Sequence, residues 1–209
     1  MSTAAERREI TKSAQITTAA RAIFLERGYA ATSMDAVTAA SGVSKQTLYR
    51  YFPSKARLFA HILDAEVDVF DAGILAPVPI TSVEHLRAML TALASTVIHR
   101  VMTPDNIGLV RLIVGEVYRV PELRSEMRDV LPRRLMTMVE SLLAAASSAG
   151  IVSAPRPDLS ARMLVGSLAT FIVFDGVLVD GPPRPPDAET IGFIVDAFLG
   201  SVAVGTVHP

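Results

Sequence analysis

Apolar residues recur along this 209-residue chain at three- and four-residue intervals and almost nowhere alternate in the two-residue period of a strand. Ile16, Ala19, Ala20, Ile23 and Phe24 mark one face of a first amphipathic helix, with Thr11 placed to cap its start and Gly28 to end it. Thr32 stands three residues before Asp35, the spacing of a capping box, and opens a short helix through Val37 to Ala40. Gly42 can supply the positive φ of a tight turn, after which Ser44 caps a second short helix, Lys45 to Phe52. Pro53 stops that helix, and Ser54 can cap a longer one with Leu58, Phe59, Ile62, Leu63 and Phe70 on its apolar face.

Farther along, the punctuation is coarser. Ala76-Pro77-Val78-Pro79 ends one helix, and Thr81 or Ser82 can cap the next, whose apolar face holds Leu86, Met89, Leu90, Leu93 and Val97. Thr103-Pro104-Asp105 breaks the chain before Leu109, Leu112 and Ile113, and Val120-Pro121 restarts it. Pro132 either kinks a helix or begins one that runs to Gly150. Asp158 caps a strongly apolar helix to Val179, the run Gly181 to Pro186 cannot be helical, and Asp187 to Val204 returns to helical spacing. The pattern predicts an all-α chain of about nine helices.

Composition excludes several classes of chemistry. There are no cysteines, so disulfides, thiolate metal sites and cysteine nucleophiles are ruled out. The four histidines (His61, His85, His99, His208) are isolated, and no HExxH, Gly-rich phosphate loop or G-x-S-x-G elbow is present. No catalytic residue, metal or cofactor is therefore expected. Half of the residues are hydrophobic, enough for a sizeable core. No apolar stretch follows the charged start, and the most membrane-like run, Met163 to Val179, is shorter than the roughly 18–20 apolar residues of a span. These features predict a cytoplasmic protein without membrane contact.

The formal net charge of −1 conceals an asymmetry. The first 60 residues hold nine basic and four acidic side chains, a balance of +5, and all three lysines; the remainder holds 11 basic and 17 acidic, a balance of −6. Such a split suggests a small anion-binding module on a larger acidic body. The module contains two short helices joined by a tight glycine turn, the spacing of a helix-turn-helix whose second helix enters the DNA major groove. Val37, Ala40, Val43, Leu48 and Phe52 meet its interior needs, and Lys45, Gln46, Thr47, Tyr49, Arg50 and Tyr51 lie on the reading helix. Their hydroxyls and amide can reach base edges or phosphates, and their cations can neutralise phosphates.

The runs Gly28-Tyr29-Ala30-Ala31-Thr32-Ser33-Met34, Ala39-Ala40-Ser41-Gly42-Val43-Ser44-Lys45 and Leu48-Tyr49-Arg50-Tyr51-Phe52-Pro53-Ser54-Lys55 resemble the N-terminal domain of TetR/AcrR transcriptional regulators. The likeness extends from about Ile16 to Leu63. It implies that Thr32 and Ser33 bind phosphate at a helix start, that Ser44 belongs to the DNA-binding set, and that Lys45, Gln46 and Thr47 face bases or the groove wall. It further implies phosphate contacts from Tyr49 and Tyr51, and neutralisation of another phosphate by Lys55. Gln46 departs from the small residues frequent at this position, so base preference does not transfer.

The resemblance also implies a helix-turn-helix domain over residues 10–56 and a ligand-binding, dimerising domain over 57–205. Leu109-Val110-Arg111-Leu112-Ile113-Val114-Gly115-Glu116 followed by Pro121-Glu122-Leu123 is similar to the C-terminal domain of one subgroup linked to efflux and stress regulators. A homodimer would form through the last two long helices, and a small hydrophobic effector would occupy the body. Larger or polar residues on apolar helices are the candidate pocket lining: Met89, His99, Arg111, Glu116, Tyr118, Met136, Phe171, Phe174 and Asp175. The function expected is a repressor released from a palindromic double-stranded operator by its effector. The rival is a non-specific, architectural DNA-binding protein, which would share the basic module without needing so large an acidic body.

Overall fold

The computed structural model describes residues 4–68, 79–127 and 131–203. Ten α-helices and a π-helical segment run through these residues, with no strand among them. They are α1 (Ala4–Ala31), α2 (Met34–Ser41), α3 (Lys45–Tyr51), α4 (Lys55–Asp68), α5 (Val83–Val101), α6 (Pro104–Glu116), α7 (Pro121–Met127), α8 (Leu131–Ser148), α9 (Pro157–Phe171), the π segment (Ile172–Val177) and α10 (Ala188–Ser201). The all-α expectation holds. Phe70, the Ala76–Val78 break and Val204 lie outside the described residues.

Local signals account for most boundaries. Ser44 accepts the Thr47 N–H at 3.1 Å, Ser82 accepts that of His85, and Asp187 accepts that of Thr190 at 2.8 Å, each satisfying a donor with no partner inside its helix. Ser54 does the same for Arg57 at 3.1 Å. Three expectations are corrected. α1 begins at Ala4, so Thr11 lies inside the helix instead of capping it. α2 is capped by Ser33, which accepts the Ala36 N–H, because the Thr32 hydroxyl is drawn inward to the Gly28 carbonyl at 2.7 Å. α9 has no side-chain cap: Pro157 opens it, and Asp158 in its first turn binds the Arg156 guanidinium at 2.9 and 2.7 Å.

The chain divides into two compact units, Met1–Glu66 with Gly108–Val130, and Val67–Ile107 with Leu131–Pro209. This division differs from the boundary at 56/57 expected from the sequence, since residues 108–130 join the basic segment. Leu109 of α6 and Leu123 of α7 are fully buried, and Arg57 of α4 pairs with Glu126 of α7 at 2.8 Å. Within the first unit α1 packs on α2 and α2 on α3. Phe24, Tyr29 and Phe59 form an aromatic cluster with centroids 4.7 to 5.8 Å apart, in stacked and edge-on arrangements that the ring quadrupoles favour.

In the second unit α8 packs on α9, and α10 packs on both α5 and α9. Leu86, Leu90, Leu143, Ala146, Ala161 and Val195 lie in its main core, and Ile98, Ile107, Leu168 and Ile191 in a smaller cluster. α9 and the π segment form one helix, Pro157–Val177, of 21 residues, and an 18-residue stretch of it has mean hydropathy 1.4. That is long and apolar enough to cross a membrane, unlike the shorter run expected, because the helix begins six residues before Met163. One face is used internally, with Ala161, Leu164 and Leu168 buried. Leu159, Met163, Val173, Phe174 and Leu178 are exposed, as is Phe193 of α10.

Candidate nucleic-acid interface

The reading helix α3 is held by its two ends and its inner face. Gly42 adopts φ 68°, ψ 10°, the left-handed conformation that L side chains resist, and its N–H closes α2 on the Thr38 carbonyl. The Gln15 amide of α1 donates to the Ser41 carbonyl at 2.7 Å, satisfying another acceptor at the end of α2. Val37 and Leu48 are fully buried and Phe52 is 4% exposed, so the inward side of the α2–α3 pair is apolar. Lys45, Gln46, Tyr49 and Arg50 are exposed on the outer side.

Polar groups on this face are already organised. The Lys45 ammonium pairs with Asp35 at the start of α2 at 2.7 Å, and that carboxylate holds its pKa above the ordinary lysine value. The same ammonium stands 6.0 Å from the Tyr49 ring centre. Ser44 and Thr47 hydroxyls meet at 2.8 Å. Arg50 lies over the Tyr51 ring at 5.0 Å and donates to the Tyr51 hydroxyl at 3.4 Å. Asp35 has no counterpart among the sequence candidates. Only the packing of α2 against α3 brings it to Lys45.

The nine nominated DNA-contacting residues therefore separate into groups. Lys45, Gln46, Thr47, Tyr49 and Tyr51 share the reading helix, with Ser44 at its cap and Ser33 at the cap of α2. Thr32 does not join them: it is 2% exposed, and its hydroxyl is committed to Gly28. Lys55 does not join them either. Its ammonium donates to the carbonyls of Tyr29, Ala30 and Thr32 at 2.7, 3.2 and 2.8 Å, which uses the three donors an ammonium has. Burial draws its pKa down while the Glu116 carboxylate of α6 pulls it up. Tyr29 beneath it is pushed up to about 12 by burial and by the charges of Glu122 and Glu116.

The first unit also contains a half-open cleft of about 280 Å³ lined by Ser13, Tyr51, Phe52, Arg57, Ala60, His61 and Asp64. The His61 ring lies 5.1 Å from that of Phe52. None of the nominated effector residues lines this cleft. Those residues are divided between the units: Arg111, Glu116 and Tyr118 in the first, and Met89, His99, Met136, Phe171, Phe174 and Asp175 in the second. His99, Arg111 and Phe174 are exposed on outward helix positions, and Tyr118 is exposed in the turn after α6. Met89 and Met136 pack against the main core of the second unit and Phe171 against its smaller cluster. Among the described residues no group of three or more His, Asp or Glu side chains could hold a metal ion.

Comparison with known proteins converges on one family. The profile for bacterial regulatory proteins of the tetR family matches residues 16–62, and that for the C-terminal domain of AefR-like transcriptional repressors matches residues 88–200. The HTH-type transcriptional activator FasR of Mycolicibacterium smegmatis is 33% identical over 116 residues, covering 54% of this chain and 51% of FasR. The chain thus spans about half the length of that relative. Among solved structures, the flavonoid-responsive regulator FrrA is 31% identical with a TM-score of 0.67, covering 91% of this chain and 94% of that one. A Mesorhizobium loti structure assigned to the TetR family has a TM-score of 0.74 at 25% identity, covering 94% and 99%.

Proposed function

The chain belongs to the TetR family of DNA-binding transcriptional regulators, which are not enzymes, and from that premise we propose that it is a homodimeric repressor released from a palindromic operator by a small hydrophobic effector. The observation that carries the reading is the α2–α3 pair, whose apolar side is buried and whose capped second helix exposes Lys45, Gln46, Tyr49 and Arg50. Arg50 neutralises phosphate, Tyr49 donates its hydroxyl to one, and Gln46 reads base edges. Lys45 does so after exchanging Asp35 for DNA.

The dimer forms through α9, the π segment and α10. Phe174, Leu178 and Phe193 are 63%, 67% and 73% exposed, apolar area that water penalises and a second copy would cover. A two-fold dimer presents two reading helices to half-sites about 34–36 Å apart or a multiple of it. Repression is favoured over activation because the profile that matches residues 88–200 is that of AefR-like transcriptional repressors, whereas the likeness to the activator FasR takes in only 51% of that protein. FrrA, by name, responds to a flavonoid, and a planar apolar effector of that kind suits a Met- and Phe-bearing second unit. Such an effector must prefer the DNA-incompetent state by about 1–3 kcal/mol. The protein then acts in the cytoplasm.

Selecting bound duplexes from a random library with the purified full chain tests the reading. Enrichment of a palindrome bound about 10³-fold or more over random DNA is expected. Equal affinity for all sequences would overturn it in favour of an architectural DNA-binding protein.

A further inference from the structure

We propose that Lys55 is a positioning residue of the DNA-reading head: it fixes the start of α2 against α4 by ligating three backbone carbonyls, and it does not neutralise a phosphate. The inference rests on the DNA-binding reading above but is carried by different residues. Gly28, at φ 79° and ψ 170°, breaks α1 just before its last turn, so Tyr29, Ala30 and Ala31 leave the axis of the preceding helix. The carbonyls of Tyr29, Ala30 and Thr32 converge there on the Lys55 ammonium, at the first residue of α4. The carbonyl end of a helix carries partial negative charge, which a cation complements.

Three further contacts make this corner a joint between α1, α2 and α4. The Lys55 Nζ lies 4.4 Å from the Tyr29 ring centre, within cation–π range. Tyr29 is 4% exposed and meets Phe59 of α4 edge-on at 5.3 Å. Thr32 closes the corner through its own hydroxyl to Gly28 and is followed directly by Ser33, the cap of α2. Displacing the ammonium would remove a donor from all three carbonyls, leaving that of Tyr29 with the longer Thr32 N–H contact at 3.3 Å, and would free the residues that set where α2 begins. An arginine does not substitute, because its planar fork cannot converge on three acceptors as a compact ammonium does.

The two roles separate in their salt dependence. With a duplex selected by the wild-type protein, Lys55→Met is expected to weaken binding by about tenfold or more at every salt concentration. Its log–log salt slope should equal that of the wild type, and Lys55→Arg should fail to restore binding. A slope reduced by about 0.9, or wild-type affinity in Lys55→Arg, would overturn the proposal. Lys12, Lys45 and Lys55 are the lysines of the chain, so side-chain ¹⁵N spectra of wild-type protein give a second readout that needs no variant to fold. The Lys55 ammonium should exchange slowly before DNA is added and keep its shift afterwards, while Lys45 moves. A Lys55 signal that moves with Lys45, or rapid exchange in free protein, would overturn the assignment. Failure of the wild type to select any duplex would instead strike the DNA-binding reading and leave the exchange measurement standing.

Discussion

The α2–α3 pair and the α9–α10 pair present opposite surfaces. In the first, the buried side is apolar and the outer side carries Lys45, Gln46, Tyr49 and Arg50. In the second, buried Leu164, Leu168, Ile191 and Val195 face inward, yet Met163, Phe174 and Phe193 face outward as well. Charge and hydroxyls suit a phosphate-bearing partner, whose counterions they replace. Exposed aromatic and aliphatic area suits a partner that removes it from water. The two pairs also hold their shapes differently: short α2 and α3 depend on caps and one glycine, whereas long α9 and α10 depend on packing along their length.

The largest effect should come from making the second surface resemble the first. Placing aspartate at Phe193 and Leu178 together is expected to weaken self-association by about a hundredfold or more. Light scattering should then report the 22.3 kDa monomer mass, and affinity for a two-half-site duplex should fall with it. An unchanged dimer would place the interface elsewhere.

Glycines sharpen the contrast in stability. Gly42→Ala should cost about 1–2 kcal/mol, because alanine is forced into the left-handed region. Gly200→Ala in α10 should instead stabilise by about 0.5–1 kcal/mol, since that glycine has ordinary helical geometry and open space around it. Denaturant titration measures both, and equal signs would break the comparison.

Caps give smaller changes. Ser44→Ala should cost about 1 kcal/mol and lower operator affinity along with it, visible as loss of protection at the Thr47 amide. Helix α10 is capped by a carboxylate, and the Thr190 N–H and hydroxyl hold the pKa of Asp187 below the ordinary 3.8. Its contribution is therefore present above that value and lost as pH falls through the folded-state pKa. Asp187→Asn, which caps without titrating, should remove that part of the acid-side decline, whereas no serine-capped helix of the head should show one. Melting curves between neutral and acid pH test the difference.

Much of the reading head was legible locally. Ser44, Gly42 and the Leu48/Phe52 spacing each state their role within a few residues, because a cap or a left-handed turn is decided by side chains beside it. Thr32 and Ser33 mark where that stops. Both are good caps, and the choice fell to Ser33 only because Gly28 bends the chain so that its carbonyl can capture Thr32. Lys55 is the sharper case. A lysine after a reading helix suits a phosphate, but its carbonyl partners lie 23 to 26 residues back along the chain. Likewise, nothing local in the sequence tells that Arg111 and Glu116 belong to the first unit while Met89 and Phe171 belong to the second.

The sequence by itself determined the all-α class, the capped helix pair, the family and the opposing charges of head and body. The family rests on the likeness of the Gly28–Lys55 motif runs, and the rest on periodicity, caps and composition, which act over one or two helical turns or are simple sums. Only the tertiary structure decided that residues 108–130 pack with the basic segment, that Asp35 holds Lys45, and that Lys55 faces carbonyls. These depend on which distant segments meet, and an ammonium's best partner is whatever acceptor folding brings within 3 Å of it.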